Sequence, residues 1–62
     1  MMVGSIVATR REPKKWLLVR NFKSDYYPFI LEACSFDGQP VERFVEGELE
    51  RLLKTGEYIR LC

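Results

Sequence analysis

The sequence predicts a mainly β, small α+β fold: a strongly bent five-stranded antiparallel sheet, or a small SH3-like barrel, with one short helix before the last strand. Three observations carry this. Five β-branched or aromatic runs are separated by short polar or turn-forming segments. The hydrophobic period changes once, after Phe44, from strand-like to helical. The pair Asp37-Gly38 closes the longest apolar run with a strong hairpin signal.

The chain is expected to form a single domain over residues 1–62. A chain this short buries only about 60% of the surface it exposes when unfolded, so its stability is marginal. With 47% hydrophobic and 31% charged residues it is too apolar to remain disordered, and eight aromatic residues suffice for a core without disulfides.

Val3 to Thr9 (VGSIVAT) reads as the first strand because β-branched residues recur through it. Arg10 to Lys15 (RREPKK) sets four bases, an acid and a proline without an amide donor together, which makes an exposed loop. Trp16 to Phe22 (WLLVRNF) resumes as a strand with apolar residues on both parities, and it forms a hairpin with the first. Asn21 to Asp25 has the composition of a turn.

Tyr26 to Phe36 (YYPFILEACSF) would span roughly 36 Å as an unbroken strand, too long for a domain of this size to cover. It divides into an aromatic edge at Tyr26 to Phe29 and a central strand at Ile30 to Phe36. Phe29, Leu31 and Ala33 face inward; Glu32 and Cys34 face outward. Because Ile30 and Phe36 share the outward parity, a bend or bulge is expected between Ile30 and Cys34. Leu31→Ala should then cost about 2–5 kcal/mol.

A type I′ turn at Asp37-Gly38 returns the chain as Gln39 to Phe44 (QPVERF), with Val41 and Phe44 buried. Val45, Leu49, Leu52 and Leu53 are spaced i, i+4, i+7, i+8 and form one helical stripe. Glu46 and Glu48 in the first turn, Lys54 in the last and Gly56 after it suit helix termini. Glu57 to Leu61 (EYIRL) is the closing strand.

The net charge of +1 conceals an asymmetry. Residues 1–31 hold six bases against two acids (+4), and residues 32–62 hold four bases against seven acids (−3). Such a dipolar chain steers charged partners or lets copies associate.

Residue types exclude several chemistries. There is no histidine, hence no Ser-His or Cys-His nucleophile pair and no histidine metal ligand. The four glycines are scattered singly and make no phosphate-cradling loop. Cys34 and Cys62 form neither a CxxC nor a metal-ligand spacing, and read as unpaired thiols in a reducing compartment. No charged segment followed by an apolar run opens the sequence, and no apolar stretch approaches a membrane span. The expectation is a cytoplasmic, non-enzymatic protein with no catalytic residues, no metal, no cofactor and no membrane contact.

Two surfaces remain. Arg10, Arg11, Lys14 and Lys15, with Trp16 and Lys23, combine cations for phosphates with a ring for base stacking, which points to nucleic acid. Tyr26, Tyr27 and Phe29, crowded around Pro28, form an aromatic patch suited to a protein partner or a homodimer seam. The alternative for the first surface is that Trp16 and Phe22 belong to the core and the loop is basic because it is solvated.

Overall fold

The computed structural model describes residues 2–22, 30–45 and 47–62. The element order is β1 (Ile6–Thr9), β2 (Trp16–Phe22), β3 (Ile30–Cys34), β4 (Pro40–Phe44), α1 (Glu48–Thr55) and β5 (Tyr58–Arg60). All strand pairings are antiparallel, and the sheet order is β4-β3-β2-β1-β5. The fold is therefore a five-stranded antiparallel sheet with one short helix before its last strand. Strands β4 and β5 are the sheet edges, and among the described residues they meet through side chains rather than through a backbone ladder.

The core lies on one face of the sheet. Val7 of β1, Leu17 and Val19 of β2, Ala33 of β3, Phe44 of β4 and Tyr58 of β5 share it with Met2 and with Leu49 of α1. Leu31, Leu52 and Leu53 pack against this cluster, so the 49/52/53 stripe of the helix covers the sheet as its spacing requires. The Phe44 and Tyr58 rings meet edge to face, with centroids 5.4 Å apart and planes at 89°. The Tyr58 hydroxyl donates to Glu42 Oε2, a second side-chain link from β5 to β4.

Several boundaries differ from the sequence expectation. The first strand begins at Ile6, because residues 2–5 form a turn in which the Ser5 N–H donates to the Met2 carbonyl (3.0 Å). The third strand ends at Cys34, which leaves Phe36 in the following turn.

The β3–β4 connection is a hairpin but not a type I′ turn. That turn needs positive φ at Asp37, and no residue other than glycine adopts positive φ among the described residues. Instead the Gly38 N–H donates to the Ser35 carbonyl (2.9 Å), so Phe36 and Asp37 are the central residues and Gly38, at φ 91°, absorbs the left-handed step. The Asp37 carboxylate secures this arrangement, accepting from Ser35 Oγ and from the Gln39 N–H (3.3 Å).

The helix starts at Glu48, not near Val45. Gly47 sits at its N-cap with φ 82°, a left-handed conformation that stops the helix from extending backward and leaves Val45 exposed. At the other end the Gly56 N–H reaches the carbonyls of Leu52 (3.1 Å) and Leu53 (3.3 Å).

The register shifts between Ala33 and Cys34, within the span where a bend or bulge is expected, but the extra residue lies on β4 and not in β3. Ala33 pairs with Glu42 but Cys34 pairs with Pro40, so Val41 is the extra residue on β4. Left without a partner position, Val41 is exposed, against the expectation that it is buried. Glu32, expected to be solvated, is buried. Leu31 faces the core but is only half-buried.

Candidate nucleic-acid interface

The second face of the sheet, opposite the helix, follows from strand alternation and register. On β2 it carries Trp16, Leu18, Arg20 and Phe22. Their partners across β3 are Cys34 for Leu18, Glu32 for Arg20 and Ile30 for Phe22, and Glu32 in turn faces Arg43 of β4. On the other side, Ala8 of β1 lies between Trp16 and Ile59 of β5. Trp16, Val41, Ile59 and Leu61 are all exposed around this face.

Its centre is a charged cluster. Arg20 Nε donates to Glu32 Oε1 (2.8 Å) and Arg43 Nε to Glu32 Oε2 (3.2 Å), so each carboxylate oxygen has its own arginine. The Glu32 side chain is only 5% exposed, whereas those of Arg20 and Arg43 remain 45% and 54% exposed. Burial pushes the Glu32 carboxyl up, but the hydrogen bonds from Arg20 and then Arg43 outweigh it and hold the group below its ordinary value. The hydrogen bond to Glu32 in turn raises Arg20. Arg20 Nη2 also donates to the Gly38 carbonyl (3.3 Å), and the Arg43 guanidinium lies 3.9 Å from the centroid of the Phe22 ring. One carboxylate against two guanidiniums leaves this cluster with net positive charge.

The loop of residues 10–15 joins β1 to β2 at the same end of the face as Trp16. It is built from successive turns: the Glu12 N–H donates to the Thr9 carbonyl and to Thr9 Oγ1 (3.2 Å each), and the Lys15 N–H to the Glu12 carbonyl (3.0 Å). The Arg10 N–H donates to the Glu57 carbonyl (2.9 Å), which fixes the start of the loop against the entry to β5. All six loop residues are exposed. Trp16, the next residue, is 55% exposed, so it does not belong to the core. Phe22 is half-buried beneath Arg43.

The predicted basic set is divided by the fold. Arg10 and Arg11 line a cleft of about 690 Å³ together with Arg51 and the acids Glu42, Glu48 and Glu57. At the edge of that cleft, burial and then the hydrogen bond to Glu42 push the Tyr58 hydroxyl well above its ordinary value. Lys14 and Lys15 instead sit around Pro13 in a shallow depression shared with Arg11 and Glu12. In the β3–β4 turn, at the same end of the sheet, the Asp37 carboxyl is held below its ordinary value chiefly by Ser35 and the Gln39 N–H, and to a smaller extent by Lys15.

Lys23, Tyr26, Tyr27 and Phe29 lie outside the described residues. Sequence reasoning missed Phe36, which is 62% exposed in the β3–β4 turn, and Arg43. The signal for Arg43 was available, since pairing residues outward from Asp37-Gly38 across the hairpin sets it opposite Glu32. Phe36 had none, because only the actual position of the turn takes it out of the strand.

In comparisons with protein-family models, curated proteins and solved structures, nothing matches the chain. The reading of this surface therefore rests on its own geometry.

Proposed function

We propose that the chain is a small, non-enzymatic binding module that contacts nucleic acid through Arg10, Arg11, Lys14, Lys15 and Trp16. The observation that carries this reading is the exposure of Trp16 at the end of a loop whose four bases all face solvent. A solvent-facing indole beside cations is the combination that holds a nucleic-acid backbone while offering a surface for a base.

The contributions are unequal. Arg10 and Arg11 share their cleft with three carboxylates, which compete with phosphate for the same guanidiniums. Lys14 and Lys15 have only Glu12 in their depression, and they carry most of the phosphate attraction. The near-neutral total charge does not oppose this reading, because Glu42, Glu48 and Glu57 gather around the cleft rather than around the sheet face that bears Trp16.

Trp16 is the single tryptophan, so its fluorescence reports the site directly. Single- and double-stranded oligonucleotides are titrated at 50 and 200 mM salt. With three or four phosphates engaged on a single strand, affinity falls roughly 20- to 50-fold between these salts. Absence of any saturable, salt-sensitive change with either form refutes the proposal.

A second reading, a protein-interaction module or homo-oligomeric subunit, is supported by the exposure of Val41, Ile59 and Leu61 on the Trp16 side of the sheet. Sedimentation equilibrium tests it: a monomer at all concentrations, with no partner recovered, counts against it. No helix among the described residues is long and apolar enough to cross a membrane. Cys34 and Cys62 are unpaired, which suits the cytoplasmic location we propose.

A further inference from the structure

We infer that the nucleic acid taken by this module is single-stranded, and that it crosses the outer face of β2 and β3 with one base on Trp16 and another on Phe36. This rests on the nucleic-acid reading above and assigns its strand form and a second stacking residue.

Position is the first argument. Leu18 and Cys34 are register partners; Trp16 lies two residues before the one and Phe36 two residues beyond the other. Both aromatic residues thus stand at the same end of the β2/β3 pair, and both are more than half exposed. Because β2 begins at Trp16 and β3 ends at Cys34 in an antiparallel pair, the cationic loop before β2 and the turn after β3 lie at the same end of the sheet.

Charge is the second. Beyond the two rings the face continues to Arg20 and Arg43, each about half exposed and each with only part of its guanidinium engaged by Glu32. Their exposed parts offer a strand's phosphates or bases planar cations, which stack as well as donate. Both oxygens of Glu32 are already taken, so this carboxylate repels an incoming phosphate weakly. Asp37 is the other acid of this region, and Lys15 offsets it.

Strand form follows from the geometry. A duplex hides both faces of each base between its neighbours, and reading its grooves takes a protruding helix or ribbon. Side chains standing on a sheet face offer stacking surfaces, which only unstacked bases can use. From Trp16 to Phe22 the face runs about 20 Å along β2, enough for a short site at the low end of the range for small β domains.

The test uses the intact chain and fluorescence anisotropy with a labelled twelve-residue oligothymidine and a duplex of equal length. The single strand is expected to bind at least tenfold more tightly than the duplex at 50 mM salt. Phe36→Leu lowers single-strand affinity at least fivefold and leaves the salt slope unchanged, whereas Phe36→Tyr, which keeps a ring, binds as the parent does. Lys15→Gln reduces the salt slope by about 0.7. Equal or tighter duplex binding, or unaltered affinity in Phe36→Leu, overturns this inference and leaves the general reading standing. Failure of both oligonucleotides to bind overturns both. The strand preference is measured on the unmodified chain, so the inference stays refutable even if a Phe36 variant does not fold.

Discussion

Replacing Phe44 by leucine tests whether side chains alone hold β4 against the far edge of the sheet. Phe44 is fully buried and is the largest side chain to be so among the described residues, and its ring meets Tyr58 of β5 edge to face at 5.4 Å. Leucine removes that geometry, which is worth about 0.5–1.5 kcal/mol beyond area burial. It also leaves part of the ring volume unfilled; a near-isosteric apolar swap usually costs under about 1.5 kcal/mol. The expected loss is therefore roughly 1–3 kcal/mol. A 62-residue domain has about 3–9 kcal/mol in total, so the variant gives up a substantial fraction of its stability. The midpoint of thermal unfolding should drop by about 5–20 °C. Urea unfolding followed by far-ultraviolet circular dichroism gives the free energy directly, and an unchanged slope confirms that both chains unfold from the same native state. Val41→Ala is the control: exposed at the bulge, it should cost under about 0.5 kcal/mol. If Phe44→Leu were as mild as this control, the edge-to-edge contact would not be a source of stability.

Two further outcomes follow from buried groups. Glu32→Gln should destabilise by about 1–2 kcal/mol, less than a fully buried ion pair, because water screens the half-exposed arginines. The folded Glu32 carboxyl sits below its unfolded value of about 4.3, so its contribution is present above that pH and is lost as pH falls through the folded value; acid titration of stability should be shallower in the variant, and an identical profile would exclude the pairing. Leu49→Ala, on the fully buried helical position, should cost about 2–5 kcal/mol, and Leu31→Ala, half-buried at the sheet, less than this; a reversed order in urea unfolding would contradict the placement of the core.

How far the sequence foretold this molecule depends on whether a feature is set by local patterning or by neighbours. The apolar run from Trp16 to Phe22 and the stripe Val45, Leu49, Leu52, Leu53 are local; they yielded the bounds of β2 and the C-terminal end of α1, while Gly47 moved the helix start from Val45 to Glu48. The turn failed locally for a physical reason: Asp-Gly can form a type I′ turn, but the Asp37 carboxylate gains more by accepting from Ser35 and the Gln39 N–H with Asp37 at negative φ. That shift moved Phe36 from strand to surface. Glu32 misled for the opposite reason. A lone carboxylate at an outward strand position reads as solvated; the hairpin could have set Arg43 opposite it, but the β2–β3 register that brings Arg20 to it crosses the segment from 23 to 29 and is not fixed by local pattern. Trp16 could not be assigned to core or surface by parity, because apolar residues occupy both parities of β2; the helix covers one face only, and Trp16 is on the other.

That one-sided cover decides which face of the sheet stays open. Eight helical residues cannot shield both faces of a five-stranded sheet, so the core is confined to the helix side and the opposite face must be stabilised by its own contacts. At its centre it uses an Arg–Glu–Arg cluster and a cation–π contact instead of a second apolar layer. Such a face keeps guanidiniums at the surface and leaves Trp16 uncovered at the end where the turn also exposes Phe36. The charge asymmetry of the two sequence halves does not map simply onto surfaces: Arg20 of the first half and Arg43 of the second share the open face, while Arg10, Arg11 and Arg51 meet Glu42, Glu48 and Glu57 in the cleft, so the excess of positive charge lies on the open face. A polyanion approaching such a molecule is oriented before it makes contact, and salt weakens that orientation along with the contacts themselves. The association rate with oligonucleotides should therefore fall as salt rises from 50 to 200 mM, and a salt-independent rate would show that the separation of charge has no part in recognition.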